Sequence, residues 1–213
     1  SMAMVFSMTA VQVLAVDEET AMLADAGTEG TDAPVAQTVT LDLSQGSITI
    51  SATGYTQGGG DETPFTGAYT IKQDDKAYFN NTVSVTGGTH EITMNDVDID
   101  VSNSSGACAF SIETGASVLL KLVGTVTLKS GNTKAGLSVP SGAAVTISAD
   151  TDSDELTAKG AQGGAGIGGN KKTSGGNITI LSGTVNADGG ASAAGIGLSL
   201  IHISEPTRQE AIS

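Results

Sequence analysis

The chain has little of what usually staples or charges a fold of its size. Cys108 is the one cysteine among 213 residues, so no internal disulfide can form and a cysteine-based zinc site is excluded. Tryptophan is absent, aromatic residues make up 3% and proline numbers 4. Basic residues number 9 against 23 acidic ones, a formal charge of −14. That balance removes the cationic face that binding to nucleic acid or to an anionic membrane needs, so no nucleic-acid partner is expected. Long apolar runs are confined to residues 2–16, a stretch too short to span a bilayer as a mature helix. Once that stretch is removed, no integral membrane protein is expected.

What is present is glycine and short apolar alternation. The 29 glycines follow no G-X-Y period, which excludes collagen, and a hydrophobic content of 38% excludes wholesale disorder. The ends differ from the middle. Met2–Val16 has the length and apolarity of a signal peptide, and Val13-Leu14-Ala15 before an acidic stretch reads as its cleavage site. Because the chain opens at Ser1 without a basic n-region, residues 1–16 read as a partial signal peptide. The expected location is extracellular, either secreted or attached to the cell surface. Residues 17–34, with Asp17, Glu18, Glu19, Asp25, Glu29 and Asp32, read as an acidic linker.

From residue 35 onward short segments alternate with period two. They include Thr38–Leu43, Ser47–Ile50, Thr82–Val85, Glu91–Met94, Val97–Val101, Phe110–Ile112, Val118–Leu122, Thr125–Leu128, Leu137–Val139, Val145–Ile147 and Ile178–Ile180. Gly, Asn, Asp and Ser separate these candidate strands, and no helical period appears among them. The pattern itself recurs. Val83, Phe110 and Leu137 open equivalent segments 27 residues apart, and Ile167 and Ile196 continue the series at 30 and 29. Thr114-Gly-Ala-Ser-Val118 returns as Ser141-Gly-Ala-Ala-Val145. Three short strands in each such period are the sequence form of a three-sided parallel β-helix. An antiparallel sandwich gives similar turn spacing without a reason for the three-strand period. Residues 35–82 fit the period less well and are expected to form an N-terminal cap and irregular first coil, with regular coils over 83–197.

Two resemblances follow from particular residues. Leu198–Arg208 resembles the in-frame translation of a sequencing-library adapter, and it carries the chain's one arginine and one of its two histidines. Residues 198–213 are therefore expected to be an artefact, and the β-helix to be truncated at its C-terminus, with end-to-end self-association of the open coil as a consequence. Separately, Glu91–Asp100, Gly163–Gly169 and its echo Ala193–Gly197 resemble the repeats of a family of secreted and surface proteins of Gram-positive bacteria. The resemblance covers residues 80–197. It implies a right-handed, pectate-lyase-like β-helix serving as a carbohydrate-binding domain, calcium-dependent in a related group, or as an adhesin stalk.

The candidate chemistry is acidic and aromatic. Asp150, Asp152, Asp154 and Glu155 place four carboxylates in one loop, a pattern that can converge on Ca²⁺. It is not an EF-hand, because Glu155 replaces the turn glycine and Ala161 replaces the bidentate acid. Asp96, Asp98 and Asp100 alternate with Val97, Ile99 and Val101, so the carboxylates are expected on one solvent face of a strand, where they could hold Ca²⁺ or an acidic sugar. Tyr55, Tyr69 and Tyr78 gather in the N-terminal region, where rings either stack on sugars or pack a cap. Gly164-Ala-Gly166-Ile-Gly-Gly169 satisfies G-x-G-x-x-G, but no helix-forming stretch follows, so it reads as tight coil corners and not as a nucleotide site. His90 follows two glycines in an apparent turn without a triad partner.

Pectate lyases take their proton with a basic residue, commonly arginine, and residues 1–197 contain none. A hydrolase needs two acids at a set separation across a sugar, and no such pair stands out. The expectation is therefore a non-catalytic β-helix module that binds polysaccharide or cell-wall glycan, with Ca²⁺ as an optional cofactor. A structural stalk or adhesin segment is the alternative, and a lyase or hydrolase a more distant one.

Overall fold

The computed structural model describes residues 37–197, which belong to the unit Ala36–Ser213. The signal-like segment, the acidic linker and the adapter-like tail lie outside the described residues. The chain enters through β1 (Thr38–Asp42), a short 3-10 turn, β2 (Ile48–Ile50), an excursion through β3 (Gly54–Gln57) and β4 (Thr63–Pro64), and β5 (Ala68–Lys72). A second 3-10 turn precedes β6 (Val83–Val85), which is followed by β7 (Thr89–Asn95) and β8 (Asp98–Asp100). The triplet then repeats as β9 (Phe110–Ile112), β10 (Ser117–Val123) and β11 (Thr125–Lys129), and again as β12 (Leu137–Ser138), β13 (Ala144–Ala149) and β14 (Glu155–Lys159). Last come β15 (Ile167–Gly168), β16 (Asn177–Ile180), β17 (Thr184–Asp188) and β18 (Ile196–Gly197).

Alternation sets both the strands and their burial. In β10, Val118, Leu120 and Leu122 are buried, while Ser117, Leu119 and Lys121 face the other way and are half-buried. Such segments stack into three sheets. The first runs β1-β5-β7-β10-β13-β16, the second β8-β11-β14-β17, and the third β4-β3-β2-β6-β9-β12-β15-β18. Every pairing is parallel except those that β3 makes with β2 and β4. The fold is thus a three-sided parallel β-helix. The series read from the sequence is one of its ladders, with Val83, Phe110, Leu137, Ile167 and Ile196 in register along the third sheet.

Ile99, Leu128, Ala158 and Ala187 form one inward row of the second sheet, and Val126, Leu156 and Val185 another. In the first coils Tyr69, 1% exposed, packs edge-on against Tyr55, Phe65 and His90 with ring centroids 6.1, 5.2 and 5.7 Å away. His90 therefore stands in β7 and not in a turn, its Nε2 2.7 Å from the Gly87 carbonyl. At the other end Ile180, Leu181 and Ile196 are exposed. Glycine is required where coils touch at the corners. A Cβ on Gly164 would meet the Lys134 carbonyl oxygen at 2.1 Å, which explains the G-x-G-x-x-G stretch without a phosphate. Among the described residues no helix is long and apolar enough to cross a membrane.

Candidate functional site

The acidic rows read from the sequence are built into corners. Between β10 and β11 the chain turns on the single residue Gly124, with φ of 70°. The Gly124 N–H donates to Asp154 Oδ1 at 2.7 Å, and the next N–H, of Thr125, donates to Asp96 Oδ1 at 3.0 Å. Asp154 also accepts from the Thr151 N–H and hydroxyl at 3.0 and 2.8 Å, and it is 7% exposed. These bonds, that from Gly124 foremost, hold its carboxyl below the usual range. Glu155 Oε1 accepts from Thr157 and Asn186.

The expected face of three aspartates is also altered. Asp96 has φ of 49° and precedes the strand, so β8 carries two of the three. Asp100 accepts from Ser102 and pairs with Lys129 at 3.0 Å, and these contacts lower its pKa. Asp98 Oδ1 is buried without a partner, as is Gln73 Nε2, whose Oε1 accepts the Asp98 N–H. Among the described residues no three His, Cys, Asp or Glu side chains are grouped to hold a metal ion. In the loop 150–155 both Asp154 oxygens and Glu155 Oε1 accept hydrogen bonds within the fold, while Asp150 and Asp152 are exposed. Tyr69 is likewise a core ring that no sugar can reach, and Tyr55 is half-buried beside it. The side chain of Tyr78 lies outside the described residues.

Elsewhere polar groups converge without partners. On the outer face of the third sheet lies a cleft of about 400 Å³ whose lining includes Cys108, Ser111, Glu113, Lys134, Ser138 and Asn170. Its floor is the outward row of the sheet, in which Ser111 is paired with Ser138. Its wall is the connection between β15 and β16, residues 169–176, which folds back over the preceding coil. Asn170 Oδ1 accepts the Ala135 N–H at 2.9 Å, the Lys171 N–H donates to the Thr133 carbonyl at 2.9 Å, and Pro140 and Gly175 form a bridge. Under this wall Ser138 is 3% exposed although its position in the strand points it outward.

Availability separates this cleft from the acidic corners. Among the described residues the Ser138 hydroxyl, the Lys134 ammonium, the Glu113 carboxylate and the Asn170 Nδ2 make no hydrogen bond or ion pair. They therefore present donors and an acceptor at close quarters, the arrangement that fixes a polar ligand. Cys108 is of another kind. Burial raises its pKa, its thiol lies 3.3 Å from the Phe110 carbonyl and 3.4 Å from that of Ala135, and Ser130 donates to its sulfur. Its thiol is thus held toward the neutral form.

The sequence carried one signal of this site. From Leu137 to Val145 the chain takes 8 residues, whereas from Ile167, the register partner of Leu137, to Ile178, the partner of Val145, it takes 11, so three extra residues lie in the connection at 169–176. An insertion in a repeat marks a loop on one face, often the binding face. Comparison of the chain with protein-family models, with curated proteins and with solved structures finds no match.

Proposed function

We propose that this β-helix is an extracellular, non-catalytic module that binds polysaccharide, and that the cleft on the third sheet is where it does so. The observation that carries the reading is the set of unpartnered polar groups there. A sugar ring offers several hydroxyls that each donate and accept, and Lys134, Asn170, Ser138 and Glu113 supply the complementary atoms in a space of about 400 Å³. Net charge supports a glycan over a polyanion, because the chain carries −14 overall. The signal-like residues 2–16 support an extracellular setting. The cleft lining offers one carboxylate, that of Glu113, so this reading does not call on calcium.

The test is retention of the full chain on insoluble cellulose, xylan, pectin, chitin and peptidoglycan, in calcium and in EDTA. Lys134→Met and Asn170→Asp are compared with an Asp150→Asn, Asp152→Asn double variant. Retention that is lost in the two cleft variants and is insensitive to EDTA and to the double variant supports the reading. Retention abolished by EDTA, or by the double variant, overturns the placement. No retention on any polysaccharide overturns the function and leaves a structural stalk.

A further inference from the structure

The outward hydroxyls of the third sheet form one row. Thr56 faces Thr49 across β2 and β3, Thr49 is in register with Ser84, Ser84 with Ser111, and Ser111 with Ser138. Paired strands lie about 4.8 Å apart, so one hydroxyl is presented per strand along the solenoid axis. Ser111 Oγ donates to Ser84 Oγ at 3.1 Å, which links the cleft to the open part of the row. Thr56, Thr49, Ser84 and Ser111 are half-buried, as expected for hydroxyls on a flat exposed sheet.

In the other direction the row is shut. The position after Ser138 is Gly168, which is buried together with Gly169. The wall over this point is fastened at several places and is not a flap. Besides the Asn170 and Lys171 bonds, the Ser141 N–H donates to the Ser174 carbonyl at 3.1 Å and the Gly176 N–H to the Val139 carbonyl at 2.8 Å. The wall also touches the next coil, since a Cβ on Gly175 would stand 2.8 Å from the Gly197 carbonyl oxygen. A polymer lying in the cleft can therefore leave it toward Ser84 and not beneath residues 169–176.

We propose that the cleft receives the terminal unit of a glycan chain, with the following units laid along Ser111, Ser84 and Thr49. This rests on the polysaccharide reading above and adds a ligand class to it. A terminal unit has one more free hydroxyl than an interior unit, and the blind end supplies its partners in Asn170 Nδ2 and the Ser138 hydroxyl. An interior unit would need both ends of the cleft open.

The experiment is competition by partial hydrolysates of each polysaccharide against retention of the full chain on the intact polymer, at equal mass. If termini are bound, halving the mean chain length doubles the potency per unit mass, because it doubles the number of ends. Asn170→Asp keeps the acceptor for Ala135 while removing the donor, and should lower the affinity that governs retention by about tenfold. Retention with potency per mass independent of chain length overturns the terminal-unit proposal and leaves the polysaccharide reading standing. Absence of retention in every arm overturns both.

Discussion

Asp96 and Asp154, from the coils on either side of Gly124, accept hydrogen bonds from consecutive backbone N–H groups, that of Thr125 and that of Gly124. Two acidic motifs that look like separate ion sites in the sequence are thus two jaws on a single-residue corner. A corner of one residue leaves adjacent N–H groups outside the strand ladders, and short carboxylates accept from them as they do at helix N-termini.

Removal of either jaw should lower stability, while the neighbouring acids should be dispensable. Asp96→Ala is expected to cost about 1 kcal/mol, the worth of one net hydrogen bond. Asp154→Ala should lower the melting temperature further, because it also releases Thr151. Asp150→Ala and Asp152→Ala, both exposed, should leave it unchanged. Thermal unfolding followed by circular dichroism checks the order, and a stabilising effect of calcium on the parent chain would argue for ion binding instead.

Acid should destabilise the protein in a defined window. Burial opposes ionisation of Asp42, but hydrogen bonds from the Ser44 hydroxyl, the Asp74 and Ser44 N–H groups and Gln45 hold its pKa at about 2. Hydrogen bonds also lower Asp100 and Asp154. A carboxyl whose folded pKa is depressed adds stability that is fully present above its unfolded value of about 3.9 and is lost as pH falls through the folded value. Denaturation midpoints should therefore hold steady from neutral pH to about 4 and fall from there toward about 2. A midpoint that already declines between pH 7 and 5 would contradict this assignment.

Tyr69 makes the opposite kind of prediction. Its ring packs in the core of the first coils, but its hydroxyl is buried without a partner. An unsatisfied buried polar group costs about 1–3 kcal/mol, so Tyr69→Phe should keep the packing and raise stability by about 1 kcal/mol. Tyr69→Ala should lose several kcal/mol through the cavity. Chemical denaturation of the three forms separates the contributions, and a destabilised Tyr69→Phe would show that the hydroxyl has a partner.

Period carried the fold, and it did so because stacking forces it. The ladder from Val83 to Ile196 needs an apolar side chain at the same point of each coil, so the requirement is written in the sequence at regular intervals. The start of the chain was less legible. β3 and β4 leave the coil as an antiparallel excursion, and Tyr69 in β5 is a ring where later coils have aliphatic residues, so no repeat announces them. The site was less legible still. Asp154 and Lys134 are both charged loop residues in sequence, and what separates them is whether a backbone N–H of a neighbouring coil already occupies the side chain. That depends on contacts about 30 residues away, of which Asp154 to Gly124 is one. The wall at residues 169–176 left its mark as a long step in the period, while its position over Ser138 depends on how the loop folds back.

On the proposed function, ligand meets the third sheet at the cleft and not at the acidic corners or the aromatic cap. Backbone chemical-shift perturbation on the full chain, titrated with soluble oligosaccharides from whichever of the five polysaccharides retains it, tests this most directly. The shifted amides are expected to cluster at Cys108–Thr114, Lys134–Val139 and Asn170, with weaker changes trailing to Ser84. Shifts centred on Asp150–Glu155, on Asp96–Asp100 or on Tyr55 would contradict it.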